Sequence, residues 1–326
     1  MLLDTIAAMS RIYVEGWAPE YGSPLQPDDD LGVEARVDDT IEQPGEWNPI
    51  AGQDDGVEEV VFVDGVRRID ARLTVIGDEG PATGICGTHA VGAVHWDRSG
   101  PRSTFGAIRI DRMAILSAGR GGHLPSPGPQ LAYRVESVAE ADPGALVQRF
   151  HGAMRKAEAL LSEELAQQGH FVIADGPIND LSATEKVGYI KTHRVFYLDP
   201  QRSLTIERLA PGERTPLFLI GAGGAYPRYS WYLRLADVPG GHAWSGVARA
   251  EVSSHLDLAT ARRVAGRATA LLPRVASPLH VDPRAPQNLV PIAALEREMR
   301  RRMGDPALVY RALREAAMGR TAGVGG

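Results

Sequence analysis

Apolar residues in the first half of the chain fall in short β-rich runs, and after Pro143 they change to helical spacing. Runs at 60–63, 71–76, 84–96 and 105–116, with turn residues between them, predict strands paired as an antiparallel meander. Asp142 can cap a helix and Pro143 fits its first turn. Leu146, Phe150, Met154, Ala157, Leu161 and Leu165 then recur on one face until Gly169 stops it. A second buried strand follows at 171–174. Beyond it the pattern predicts strands at 195–198, 217–220, 229–235 and 246–252, and helices at 256–272, 292–303 and 307–317. Residues 15–56 are rich in Pro, Gly, Asp and Glu and read as an irregular arm. The expected organisation is an arm over 1–56, a main domain over 57–318 and a short tail over 319–326.

One phrase occurs twice in this pattern: an apolar run that closes in Asp-Gly, at Asp64-Gly65 and again at Asp175-Gly176. A carboxylate at the end of a core strand is costly unless a metal, a cation or hydrogen-bond donors meet its charge. If the two strands are neighbours, Asp64 and Asp175 converge, and converging carboxylates repel unless a divalent cation lies between them. Taken singly, each Asp-Gly is better explained as a turn, with Gly supplying a positive φ.

Composition narrows the setting. The 326 residues are 44% hydrophobic and 23% charged, as in ordinary globular proteins, which argues against wholesale disorder and a fibrous chain. A formal net charge of −6 argues against a uniformly basic protein but leaves room for a local nucleic-acid cleft. A single cysteine, Cys86, rules out an intramolecular disulfide and a cysteine-based zinc cluster. With no signal-like N-terminus and no membrane-length apolar run, the expectation is a soluble, cytoplasmic protein without membrane contact. The glycine clusters at 119–122 and 221–224 lack the Lys-Ser/Thr of a phosphate loop, so any ATP-driven movement must come from a partner.

A meander whose first strand bears Asp, then a helix bearing Glu, then a strand bearing Asp is the order of acids in the ribonuclease H-like fold. The expected fold class is therefore α/β, a ribonuclease H-like mixed sheet flanked by helices, with the N-terminal arm and extra C-terminal helices. Such acids hold two divalent ions about 3.5–4 Å apart, one serving the attacking water and one the leaving oxygen. Glu158, Glu163 and Glu164 are the helix candidates, and Glu158 borders the apolar stripe.

The set Phe62-Val63-Asp64-Gly65, Arg155 with Glu158, Ala174-Asp175-Gly176-Pro177, and Val187-Gly188-Tyr189-Ile190-Lys191 resembles the NurA nuclease family in order and spacing, across most of the chain from Val57 to Arg314. The resemblance implies a Mn²⁺- or Mg²⁺-dependent deoxyribonuclease with a two-metal mechanism, an exonuclease, a single-strand endonuclease or both, acting in DNA end processing or defence. It implies a homodimer that works with a HerA-like hexameric ATPase. It also implies Asp64, Glu158 and Asp175 as metal-binding acids and Lys191 as the basic residue beyond the second Asp strand.

Two departures stand out. Val66 occupies a position where the family usually has Ser, and the stretch 282–291 holds no His, where many family members place one near the start of the C-terminal helix. Asn288 or Asp282 is the candidate oxygen donor in that His's place, and His193 and His280 are nearby alternatives. Glu251 closes a further apolar strand, in a supporting or structural role. Tyr226, Arg228, Tyr229, Trp231 and Tyr232 form the densest aromatic-basic cluster, whose alternation fits sheet packing better than base stacking. The alternative to an enzyme is a catalytically weakened, DNA-binding adaptor of a ring ATPase, for which the two departures speak.

Overall fold

The computed structural model describes residues 11–14, 36–100, 103–122, 124, 126–178, 182–193, 195–221, 226–281 and 285–319. Its strands are β1 (Arg11–Val14), β2 (Val37–Asp38), β3 (Ile50–Ala51), β4 (Glu59–Gly77), β5 (Gly80–Asp97), β6 (Ser103–Leu116), β7 (Arg134–Ser137), β8 (Phe171–Asp175), β9 (Lys186–Ile190), β10 (Glu213–Arg214), β11 (Phe218–Ile220), β12 (Arg228–Arg234) and β13 (Val247–Ser253). The helices are α1 (Pro143–Gln167), α2 (Pro200–Glu207), α3 (Leu258–Leu271), α4 (Val290–Arg302) and α5 (Pro306–Gly319). One mixed sheet runs β2-β11-β12-β13-β9-β8-β4-β5-β6-β7.

Its centre is a meander, β4-β5-β6, with β8 added in parallel to β4 and β9 in parallel to β8. That order, with α1 crossing between β6 and β8, is the ribonuclease H-like core. The crossover helix begins and ends where the sequence signals it. Asp142 accepts a hydrogen bond from the Ala145 amide at 3.2 Å, and Gly169 follows the C-cap with φ 90°.

Each face of the core has its own helical cover. Val61, Val63, Val91, Ala93 and Val172 meet Met154, Leu161 and Leu165 of α1. On the opposite face Val60, Phe62, Phe171 and Ile173 pack in one cluster with Val264 and Ala268 of α3 and Leu295 and Met299 of α4. Alternation along β4 and β8 thus divides the same two strands between two helix layers. Gly87 admits the Phe150 ring of α1, since a Cβ there would lie 2.4 Å from it.

Three expectations change. The runs at 60–63 and 71–76 are one strand, β4, because its ladder with β5 continues through Asp64-Gly65 and shifts only at a bulge between Ile69 and Ala71. The displaced Asp70 is buried, accepting from Arg68 Nε at 2.7 Å and Tyr133 Oη at 2.8 Å. Gly65 therefore closes no strand, and among the described glycines it is not one with positive φ.

The run at 195–198 forms no strand. It leads into α2, whose cap Asp199 accepts from the Arg202 amide at 2.8 Å, while the edge of β9 is taken by β13. Within 1–56, the short β2 and β3 join the sheet through β11 and β10, and β1 pairs with the far end of β4. Among the described residues, no helix is long and apolar enough to cross a membrane.

Candidate metal centre

Parallel pairing of β4 and β8 aligns Val63 with Ala174, so Asp64 and Asp175 are the next residues on adjacent strands. β8 ends at Asp175 while β4 continues, so the two carboxylates lie where β4 loses that neighbour. They belong to the α4 side of the sheet, and α4 contributes Glu296. One carboxylate oxygen from each of Asp64, Asp175 and Glu296 lies within 4.8 Å of the other two.

Glu158 comes from α1, on the other layer. Its approach depends on Gly65, where a Cβ would lie 3.2 Å from Glu158 Oε2 and 3.1 Å from Met154 Cγ. Glycine serves close approach here, not a turn.

The electrostatics are those of crowded acids. Asp64 and Glu158 are 5% and 4% exposed, whereas the Asp175 and Glu296 side chains are 17% and 18% exposed and form the mouth. Burial pushes the Asp64 carboxyl well above its usual range, and the Asp175 and Glu158 carboxylates push it further. Burial also raises Asp175, against the opposing pull of Lys191. Glu158 is raised to about 7 by burial, with Arg155 opposing and the Asp175 charge adding.

Lys191 Nζ is 2.6 Å from Asp175 Oδ2. Burial alone would lower its pKa, but the Asp175 carboxylate, with Asp64 and Glu296 adding, outweighs burial and raises it. Asp64 Oδ1 accepts from the Gly65 amide at 2.7 Å, while Asp64 Oδ2 is buried with no hydrogen-bond partner among the described residues. A buried, partnerless carboxylate oxygen beside two further carboxylates is a donor set suited to a hard divalent cation such as Mn²⁺ or Mg²⁺. By this test the residues fit such an ion.

No family model matches the chain, and no curated protein matches it. Among solved structures the chain is similar to the crystal structure of the NurA nuclease from Sulfolobus solfataricus, at 12% identity and a TM-score of 0.45, over 78% of this chain and 81% of that chain.

The bend after Asp175 is held from both layers. Gly176 takes φ 104°, and a Cβ on it would lie 2.6 Å from Arg155 Nη1. Arg155 Nη1 donates to Glu158 Oε2 at 3.2 Å and to the Asp175 carbonyl at 3.1 Å, and Nη2 donates to the Pro177 carbonyl at 3.3 Å. From β13 the fully buried Glu251 accepts from the Ile178 amide at 2.8 Å through Oε1 and from Arg228 Nε at 3.0 Å through Oε2. Glu251 thus acts on the loop behind Asp175. Arg155, Lys156 and Lys186 line a pocket of about 250 Å³ beside Glu158.

The other sequence candidates have separate surroundings. Burial pushes Glu163 up, but hydrogen bonds from Lys186, Ser182 and Thr184 prevail and hold it at about 2. Glu164 pairs with Arg109 at 2.6 Å on the surface. His193 packs against Trp244 and Tyr232 and meets the Val247 carbonyl through Nε2 at 3.0 Å. His280 is exposed, and Asp282 lies outside the described residues. Asn288 is buried ahead of α4, its backbone carbonyl accepting from the Ser277 amide at 2.9 Å.

Val66 packs in the core, and Trp231 and Tyr232, neighbours on β12, are buried in separate clusters because both faces of that strand are covered. Glu296 is the residue that sequence reasoning passed over. Its signal was present: it adjoins Leu295 in the stripe Ile292, Leu295, Met299, the same border position that singled out Glu158.

Proposed function

We propose that this protein is a metal-dependent nuclease that hydrolyses phosphodiester bonds of DNA, with Asp64, Asp175 and Glu296 as cation ligands and Glu158 beside them. The observation that carries the reading is the convergence of one carboxylate oxygen each of Asp64, Asp175 and Glu296 within 4.8 Å, together with a buried Asp64 Oδ2 that has no hydrogen-bond partner among the described residues. A divalent cation held there supplies Lewis-acid stabilisation of charge on the phosphoryl oxygens and a more acidic water.

The chain's own residues have defined tasks in this reading. Arg155 orients Glu158 and fixes the backbone around Asp175. Lys191, kept charged by Asp175, offers a point charge to a phosphate. Glu158, with a pKa of about 7, can hold or release a proton near neutral pH. Lys156 and Arg155 on the pocket wall favour an anionic substrate. Asn288 stays an oxygen donor of the same reading, on sequence grounds alone. DNA as the substrate, a HerA-like hexameric ATPase and a second copy of the chain as partners likewise rest on the sequence resemblance.

DNA degradation assayed with Mn²⁺, with Mg²⁺ and in chelator tests the reading. The expected result is cleavage that needs the cation and falls by several powers of ten in Asp64→Ala and Asp175→Ala. Cleavage that persists in chelator, or survives both substitutions in purified protein, overturns it. The adaptor reading has one observation in its favour, the Lys191 ammonium 2.6 Å from Asp175 Oδ2, a built-in substitute for part of a metal's charge. It predicts DNA binding without cleavage and no divalent-cation binding at the acids. Co-purification with a HerA-like ATPase tests the partner.

A further inference from the structure

Five residues before Asp64 on β4 stands Glu59, and five before Asp175 stands His170, immediately ahead of β8. The parallel register pairs Val60 with Phe171, so Glu59 and His170 are neighbours at the opposite end of the same two strands. His95 joins them from β5, where it is paired with Val61. Glu59 Oε1 is 3.0 Å from His95 Nδ1 and 3.1 Å from His170 Nδ1. The two rings meet edge to face with centroids 5.4 Å apart, so both nitrogens turn toward one carboxylate oxygen. Gly106 on β6 makes room for the His95 ring, because a Cβ there would lie 2.7 Å from His95 Nε2.

We propose that Glu59, His95 and His170 form a second metal site, independent of the acid cluster and of the nuclease reading, that binds a borderline-soft divalent ion of the Zn²⁺ class. Two imidazoles and one carboxylate are a recognised zinc donor set, whereas an all-carboxylate cluster suits Mg²⁺ or Mn²⁺. A tetrahedral ion with bonds of about 2.0–2.2 Å holds its ligand atoms about 3.4 Å apart. The spacings of 3.0 and 3.1 Å need open by only a few tenths of an ångström. The side chains are 21% (His95), 33% (His170) and 41% (Glu59) exposed, which leaves an entry path and a fourth position for water. An ion there ties β4, β5 and the turn ahead of β8 together. It therefore clasps the parallel β4–β8 register from the end opposite Asp64 and Asp175.

Co²⁺ titration of the full chain, freed of any histidine tag and followed by visible absorption, tests the site. The expected result is one equivalent of ion giving the intense bands of tetrahedral cobalt, bleached by Zn²⁺. His95→Ala and His170→Ala each weaken binding about 100-fold or more, since even lost supporting contacts around metal ligands cost about 10–100-fold. Glu59→Gln weakens it, and the double variant Asp64→Ala/Asp175→Ala leaves it unchanged. Circular dichroism confirms the fold of each variant, and His170→Gln, at a partly exposed position, provides the decisive comparison if His95→Ala unfolds. Bands that are weak and octahedral, that persist without His170, or that vanish with the aspartate pair overturn the proposal.

Discussion

Removing the charge of Glu158 should stabilise the cation-free protein, and only at neutral to alkaline pH. Glu158 is 4% exposed, and its pKa moves from an ordinary 4.5 to about 7. At about 1.4 kcal/mol for each pH unit between the two values, the ionised side chain costs the fold about 3 kcal/mol. The sign follows from proton linkage. Between about 4.5 and 7 the folded protein keeps a proton that the unfolded chain has released. Stability is therefore full below the unfolded value, falls as pH rises through that window, and stays lower above it.

Glu158→Gln keeps the shape of the side chain and removes the titration. In chelator its melting temperature should match the wild type near pH 4.5 and exceed it at pH 8. At roughly 2 °C per kcal/mol for a chain of this size, the gap should be about 6 °C. Millimolar Mn²⁺ should then stabilise both proteins, by about 2.7 kcal/mol for a concentration 100 times Kd, and narrow the gap, because a cation at the neighbouring carboxylates favours the ionised Glu158 that only the wild type has. A gap that does not change with pH, or a less stable variant at pH 8, would refute the argument that burial and crowded charge dominate this carboxyl.

The same geometry makes further predictions. Glu296→Gln should weaken Mn²⁺ binding at least about tenfold by calorimetry, while Glu298→Gln, whose carboxylate faces Arg301 and Arg302, should leave it unchanged. Gly176→Ala places a Cβ at φ 104° and 2.6 Å from the Arg155 guanidinium, so urea denaturation should show a loss of about 1–3 kcal/mol along with reduced DNA cleavage. Glu251→Ala leaves Arg228, Arg249 and the Ile178 amide without their buried partner and should cost about 3–5 kcal/mol.

The core was legible because its signals are local. Strand periodicity, the Asp142 cap and the Gly169 stop define β5, β6, α1 and β8 without long-range information. What failed locally was continuity. Arg67, Arg68 and Asp70 interrupt the apolar pattern of β4, yet the ladder to β5 carries the strand across them. The run at 195–198 has strand composition, but the edge of β9, the strand that precedes it, belongs to β13. That Asp64 and Asp175 approach each other depends on one pairing, β4 with β8, which sequence allows and does not require. Glu296 was harder to find because nothing in the chain says that α4 crosses the end of these strands. The Glu59, His95 and His170 group was out of reach, since only the three-strand register assembles it.

The loop behind Asp175 is fastened by Arg155 from one layer and by Glu251 from the other. Its consequence is thermodynamic. Residues 176–178 are ordered when the chain folds, so the entropy of fixing them is charged against folding stability and not against cation affinity. Affinity at the acids then depends on desolvation and charge, and substitutions at Arg155 or Glu251 should act on it as a loss of preorganisation, through atoms that touch no ion at all.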